Sequence, residues 1–265
     1  MVSVLAESKS VPLLQWANVV AFLITIAVNG LANTSMLNGK NTGQISDQYP
    51  TLVTPAGYVF AIWGLIYILL FVFVAFQVLP SRRDKAFQKE VGVLFALSNV
   101  FNVVWLLLWQ YGFVSLSVLP MFALLATLIA TYLRLNIGKS DVSLKEKLSV
   151  HLPFSVYLGW ITIATVADVA AALVSVPWDG FGIGSATWAI LVVAITLIIT
   201  LLVILTRRDI AYGIVIIWAL IGIAVKQSGN QNIATACETS ALIIAIALFL
   251  SILSSWFKHQ KQSLA

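Results

Sequence analysis

Thirteen of the chain's fifteen Lys and Arg residues fall in alternate gaps between long apolar stretches. Those stretches run at about residues 11–33, 57–79, 91–110, 114–133, 149–174, 186–206, 210–226 and 235–257. One set of surfaces carries Lys9; Arg82, Arg83, Lys85 and Lys89; Arg134, Lys139, Lys145 and Lys147; Arg207 and Arg208; Lys258 and Lys261. The opposite set carries Lys40 and Lys226. Cationic loops resist translocation, so the rich side reads as cytoplasmic. The expectation is an all-α integral membrane protein of eight transmembrane helices, with both termini cytoplasmic.

The apolar stretches leave no other architecture. Most reach the roughly 20 residues that cross about 30 Å of hydrocarbon, and backbone groups in a bilayer must bond internally, which makes each span helical. Alternating segments of about ten residues, the mark of a barrel, do not occur. Charged residues are only 9% of the chain, and its cations are spread over five surfaces, which argues against a nucleic-acid partner. The first apolar run is too long for a cleaved leader. One cysteine, Cys237, excludes an internal disulfide and a Cys-based metal cluster. His151 and His259 both fall at cytoplasmic boundaries and assemble no metal site.

Polar side chains inside spans are costly and mark candidate sites. Asn29 and Asn33 share a face near the external end of the first span, and Asn99 and Asn102 share one in the third. Trp105 and Trp109 continue that face at helical spacing. Trp63 lies roughly 10 Å inside the second span at 1.5 Å per residue, with Tyr67 one turn deeper. Tyr157, Trp160, Ala164 and Asp168 form one stripe on the fifth. The plainer readings are interhelical glue for the Asn residues, a protonated or Asn-paired structural carboxyl for Asp168, and interfacial belt positions for Trp16, Trp109, Trp178 and Trp256. Amides, aromatics and one acid at a common depth nevertheless describe a flat, mainly apolar pocket. The external segment from Thr34 to Pro55 has the composition of an ordered loop above it. No Gly-rich loop followed by Lys, His-paired nucleophile or carboxylate pair accompanies this cluster. A retinal protein is excluded because Lys226 stands at a span's end.

Three segments resemble a known family. The run from Thr54 to Tyr67, with Pro55, Tyr58, Trp63 and Gly64, is similar to the start of the second helix in the tryptophan-rich sensory protein and translocator protein (TspO/MBR) family. Asn99 to Trp105 resembles its third-helix Asn/Trp motif, and Leu152 to Thr165 its fifth helix. The likeness covers about residues 11–175. It implies a five-helix bundle, 1–175, to which 176–265 adds three helices, making this a longer branch. Family members bind porphyrins, and some bind sterols or synthetic aromatic ligands. The resemblance thus implies a tetrapyrrole or other flat hydrophobic ligand, with no required cofactor, at Trp63, Asn99 or Asn102, Tyr157 and Trp160. Joined to the polar and aromatic residues read at that depth, the candidate ligand-binding set is Asn29, Asn33, Tyr58, Trp63, Tyr67, Asn99, Asn102, Trp105, Tyr157, Trp160 and Asp168. The chain departs from the pattern in having Thr54-Pro55 for a double proline, no recognisable tryptophan motif in the first loop, and Asp168 where Asn is common.

The function expected is a sensory or transport protein binding such a ligand in the outer leaflet, without catalysis. The alternatives are a proton-coupled transporter working through Asp168 and, third, a porphyrin-degrading enzyme. The partners expected are the lipid bilayer and the ligand, with a homodimer left open, in the plasma membrane of a bacterium.

Overall fold

The computed structural model describes residues 2–176 and 178–263, with side chains at 13–176 and 178–257. The side chains of Lys9, Lys258, His259 and Lys261, and Pro177, lie outside the described residues. Eight long helices account for most of what is described: α1 (Val2–Asn33), α2 (Ile62–Gln77, continued back by a 3-10 turn, Gly57–Ala61), α3 (Leu94–Gln110), α4 (Val114–Arg134), α5 (Leu152–Val174), α6 (Ser185–Arg207), α7 (Ile210–Lys226) and α8 (Gln231–Ser263). No strand occurs among the described residues. Segments of α1, α2, α4, α5, α6 and α8 are long and apolar enough to cross a membrane, whereas α3 and α7 are shorter apolar helices.

Helix α2 is apolar almost all round, as membrane burial demands. On α2, Ile62, Ile66, Leu70 and Phe73 face the protein while Leu65, Ile68 and Phe71 face outward. The third helix begins at Leu94 rather than at the expected 91 because Gly92, at φ +48° and ψ −134°, ends the preceding short helix Ala86–Val91. That backbone conformation favours a residue without Cβ.

Helices α1–α5 form a ring in which α1 packs on α2 and α3, α4 on α3 and α5, and α2 on α5. Its lower core is a cluster of Phe22, Phe73, Phe95 and Phe154 with ring centroids 5.0–6.3 Å apart. Outside the ring α7 lies against α5, α8 against α7, and α6 against α8 and α7. At one end of the bundle Asp209 anchors α7. It caps the helix by accepting from Tyr212 N at 3.1 Å, and its other oxygen accepts from Tyr132 Oη at 2.9 Å and Ser155 Oγ at 2.7 Å.

The connecting loops meet in two groups. At the basic end Arg207, closing α6, donates to Asn136 Oδ1 and Ile137 O in the loop after α4. At the opposite end Lys226, closing α7, pairs with Asp47 in the loop after α1 at 3.1 Å. Gln227 donates to Thr51 O, Ala56 N to Gly222 O, and Trp218 Nε1 to Val59 O. The segment from Thr34 to Pro55 is thus ordered, as its composition predicts. It contains a short helix, Thr42–Ser46, started by a reciprocal Asn41/Gln44 capping box.

Candidate functional site

Beneath that loop the aromatic side chains of α2, α3 and α5 converge. Tyr67, Trp63, Trp105 and Trp109 stack in one column, with successive centroids 5.6, 6.0 and 6.2 Å apart and planes within 28°. Tyr49 of the loop closes the column over Trp109 at 6.3 Å. Tyr157 and Trp160 of α5 each meet Trp63 in a T-shaped contact at 6.1 Å, and Phe60 meets Trp160 in another at 5.8 Å. Edge-to-face and offset contacts each add about 0.5–1.5 kcal/mol beyond burial, so the cluster is a packed unit.

Two spaces adjoin it. A groove of about 680 Å³ runs between α1 and α2, lined by Asn29, Asn33, Trp63 and Tyr67 and covered by Asn41–Gln44. Gly30 and Gly64 lie along it, and a Cβ added at either meets nothing within 4 Å. On the other side of Trp63 is a small chamber of about 30 Å³, walled by Phe60, Trp63, Trp105, Trp109, Trp160 and Asp168. Thr42, Phe60 and Trp63 border both spaces.

Asp168 is 2% exposed. Its Oδ1 accepts from Trp105 Nε1 at 3.0 Å and from Ser117 Oγ at 3.1 Å, while Oδ2 has no protein partner. The expected Asn partner is therefore replaced by an indole and a hydroxyl. Trp160, 1% exposed, likewise leaves Nε1 without a protein partner, as does the Tyr67 hydroxyl.

The predicted residues divide. Asn29, Asn33, Trp63 and Tyr67 line the groove, and Trp63, Trp105, Trp160 and Asp168 line the chamber. Tyr157 supports Trp63 from behind. Asn102 is taken up inside the bundle, accepting from Asn29 Nδ2 at 2.8 Å and donating to Tyr157 Oη at 3.1 Å. Those bonds join α1, α3 and α5, the glue role open to any Asn in a span. Asn99 turns back to Phe95 O on its own helix and accepts at its carbonyl from Thr25 Oγ1. Tyr58 stands apart, 48% exposed and edge-on to Trp218 of α7 at 5.4 Å.

One belt reading needs correction. Trp109 is buried, donates to Thr42 O at 3.3 Å and extends the column, because the loop folds over the end of α3. Trp178 lines a separate apolar cleft of about 700 Å³ between α5 and α6, beside Trp188. Trp16 and Trp256 are exposed, as belt positions require. Two residues join the predicted set: Phe60, which lines the chamber, and Ser117, which donates to Asp168. Phe60 shares a face with Trp63 three residues on, whereas nothing local distinguishes Ser117. A second acid within an apolar segment, Glu238 of α8, is exposed and borders none of these spaces.

An all-helical integral membrane protein, with an aromatic cluster beneath an ordered loop at one end of a five-helix ring, is the class that this fold and site define. The chain belongs to the family described as TSPO-like protein, whose model matches residues 15–254. The match runs on through α6, α7 and most of α8. No curated protein and no solved structure matches the chain.

Proposed function

We propose that this is an eight-span membrane protein, termini cytoplasmic, that binds a flat hydrophobic ligand of tetrapyrrole type in the groove between α1 and α2 near the external face. The seventeen-residue helices α3 and α7 fall at the lower end of the 17–25 residues that span a bilayer. The two separate groups of loops fit eight alternating crossings, and the basic group fits the cytoplasm. A bacterial plasma membrane is the matching location.

The groove carries the binding reading. Its volume lies within the roughly 300–1,000 Å³ of small-ligand pockets, and it offers the Trp63 and Tyr67 rings beside the Asn33 amide and Asn29, whose Nδ2 is already bonded inside the bundle. Family resemblance supports a porphyrin-like occupant. No His, Cys or Met stands among the lining residues, and the chamber holds a single carboxylate, which fits binding rather than turnover.

Tryptophan quenching by metal-free protoporphyrin tests this. Gly64→Leu places a side chain in open groove space, and its helical φ imposes no strain. We expect saturable quenching in the wild type, at least tenfold weaker binding in Gly64→Leu, and unchanged thermal stability. Undiminished affinity in a folded Gly64→Leu protein would sink the assignment. The partnerless oxygen of Asp168 favours one second reading, proton-coupled transport. Proton-driven uptake into proteoliposomes, lost in Asp168→Asn, would establish it in place of simple binding.

A further inference from the structure

The chamber behind Trp63 combines three features that the groove does not explain. Five aromatic rings wall it: Phe60, Trp63, Trp105, Trp109 and Trp160. Asp168, which lines it, has a buried carboxylate oxygen, Oδ2, without a protein partner. Asp168 forms no salt bridge to a described Lys or Arg; the described ion pair joins Lys226 to Asp47 at the bundle's end. A charged acid at this depth is expensive and is characteristically matched by a counter-ion, which a ligand can provide. Aromatic faces carry negative quadrupole charge and attract ammonium groups within about 6 Å of the ring centre.

We infer that this chamber is a cage for the positively charged nitrogen of an amphipathic amine, with Asp168 as its counter-ion. The inference rests on the ligand-binding reading of the adjoining groove and names a ligand class for it: a planar apolar body in the groove, and a cationic nitrogen beyond Trp63. At about 30 Å³ the closed chamber has room for roughly two waters, so the amine enters when the Trp63 ring turns aside. Its rotation costs ring packing but no described hydrogen bond. Trp105 and Trp109 are tied by indole hydrogen bonds to Asp168 and Thr42. Trp63, which borders both spaces, packs in the core with four ring contacts and no described hydrogen bond. Trp160 Nε1 supplies a donor for an acceptor atom next to the nitrogen.

The test uses matched probes on the whole protein in nanodiscs of uncharged lipid. One is (naphthalen-2-ylmethyl)trimethylammonium, and the other is its neutral isostere with carbon in place of nitrogen. Titration calorimetry should show the wild type preferring the cation at least tenfold. Asp168→Asn, which keeps an acceptor for Trp105 and Ser117, should cut the preference at least fivefold while the neutral probe's affinity changes less than twofold. Trp63→Leu, opening one wall of the cage, should weaken the cation selectively. Equal affinities in the wild type, or an undiminished preference in Asp168→Asn, overturn the cage, and the wild-type comparison decides even if a variant fails to fold. A cation preference in a protein that ignores protoporphyrin would refute the tetrapyrrole reading and leave the cage standing.

Discussion

Gly222 is where α7 meets the start of α2, and a methyl group there should be costly. A Cβ built on Gly222 lies 2.1 Å from Val59 Cγ2 and 3.3 Å from Pro55 Cβ. Val59 is fully buried, so α7 must retreat for Gly222→Ala to fit. Overpacking of this kind costs about 1–3 kcal/mol. Retreat also weakens the bond from Ala56 N to Gly222 O, 3.1 Å long, worth about 1 kcal/mol. Alanine's better helix propensity returns about 1 kcal/mol. The net expectation is destabilisation by about 1–3 kcal/mol. At about 2–4 °C per kcal/mol for a chain of this size, the melting temperature in detergent should fall by several degrees. Val59→Ala removes the obstructing methyl, so the double variant should show a favourable coupling of about 1–2 kcal/mol. A Gly222→Ala protein as stable as the wild type, with no coupling to Val59→Ala, would refute this account of the interface.

Cysteine labelling in oriented vesicles should find both termini and the Ser81–Glu90 loop on the cytoplasmic side, and residues 38–48 and 178–184 outside; protection of Asn41 in right-side-out vesicles contradicts the eight-span map. Without a His, Cys or Met at the site, haem and metal-free porphyrin should bind within about tenfold, or 1.4 kcal/mol, and a low-spin six-coordinate haem spectrum would count against this. Asp168→Asn should alter metal-free porphyrin binding by under about 1 kcal/mol, the scale of a neutral hydrogen bond in a membrane, as quench titrations can measure. At the basic end, partial burial and then the neighbouring Glu146 raise the Glu90 carboxyl above its usual range. The folded protein therefore holds that proton more tightly than the unfolded chain, and stability is lost as pH rises through the raised value. Glu90→Gln should stabilise at neutral pH by under about 1 kcal/mol, as for other exposed charges. The gain should vanish in thermal melts below about pH 4.3, the ordinary glutamate value.

The helices were legible because membrane burial writes length and apolarity directly into the chain. The expected seventh span, 210–226, coincides with Ile210–Lys226, since Asp209 and Lys226 bound it in sequence as they do in space. Depth was legible too, which is why Trp63, Trp105, Trp160 and Asp168 meet. Direction around the helix was harder to read. Tyr58 sits in the same motif as Trp63 yet turns toward Trp218, a partner 160 residues away that no local spacing reveals. Trp109 has the position of an interfacial residue and becomes interior because the first loop covers it. Asn102 and Asn29 have side chains suited to a ligand, and only the packing of α1, α3 and α5 shows that they bond each other.

The clamp between α7 and the loop above the groove also sets an order of events during synthesis. Trp218 emerges 159 residues after Val59, Gln227 176 after Thr51, and Lys226 179 after Asp47. At roughly 5–20 residues per second, α1 and α2 wait on the order of ten to thirty seconds for these partners. The loop is therefore latched late in biogenesis, when α7 reaches the bilayer. A chain halted before α7 has Ala56 N–H, Thr51 O and Val59 O without the partners they hold in the finished protein. How long the groove stays unlatched in a newly made molecule is thus set by the pace of the ribosome rather than by equilibrium.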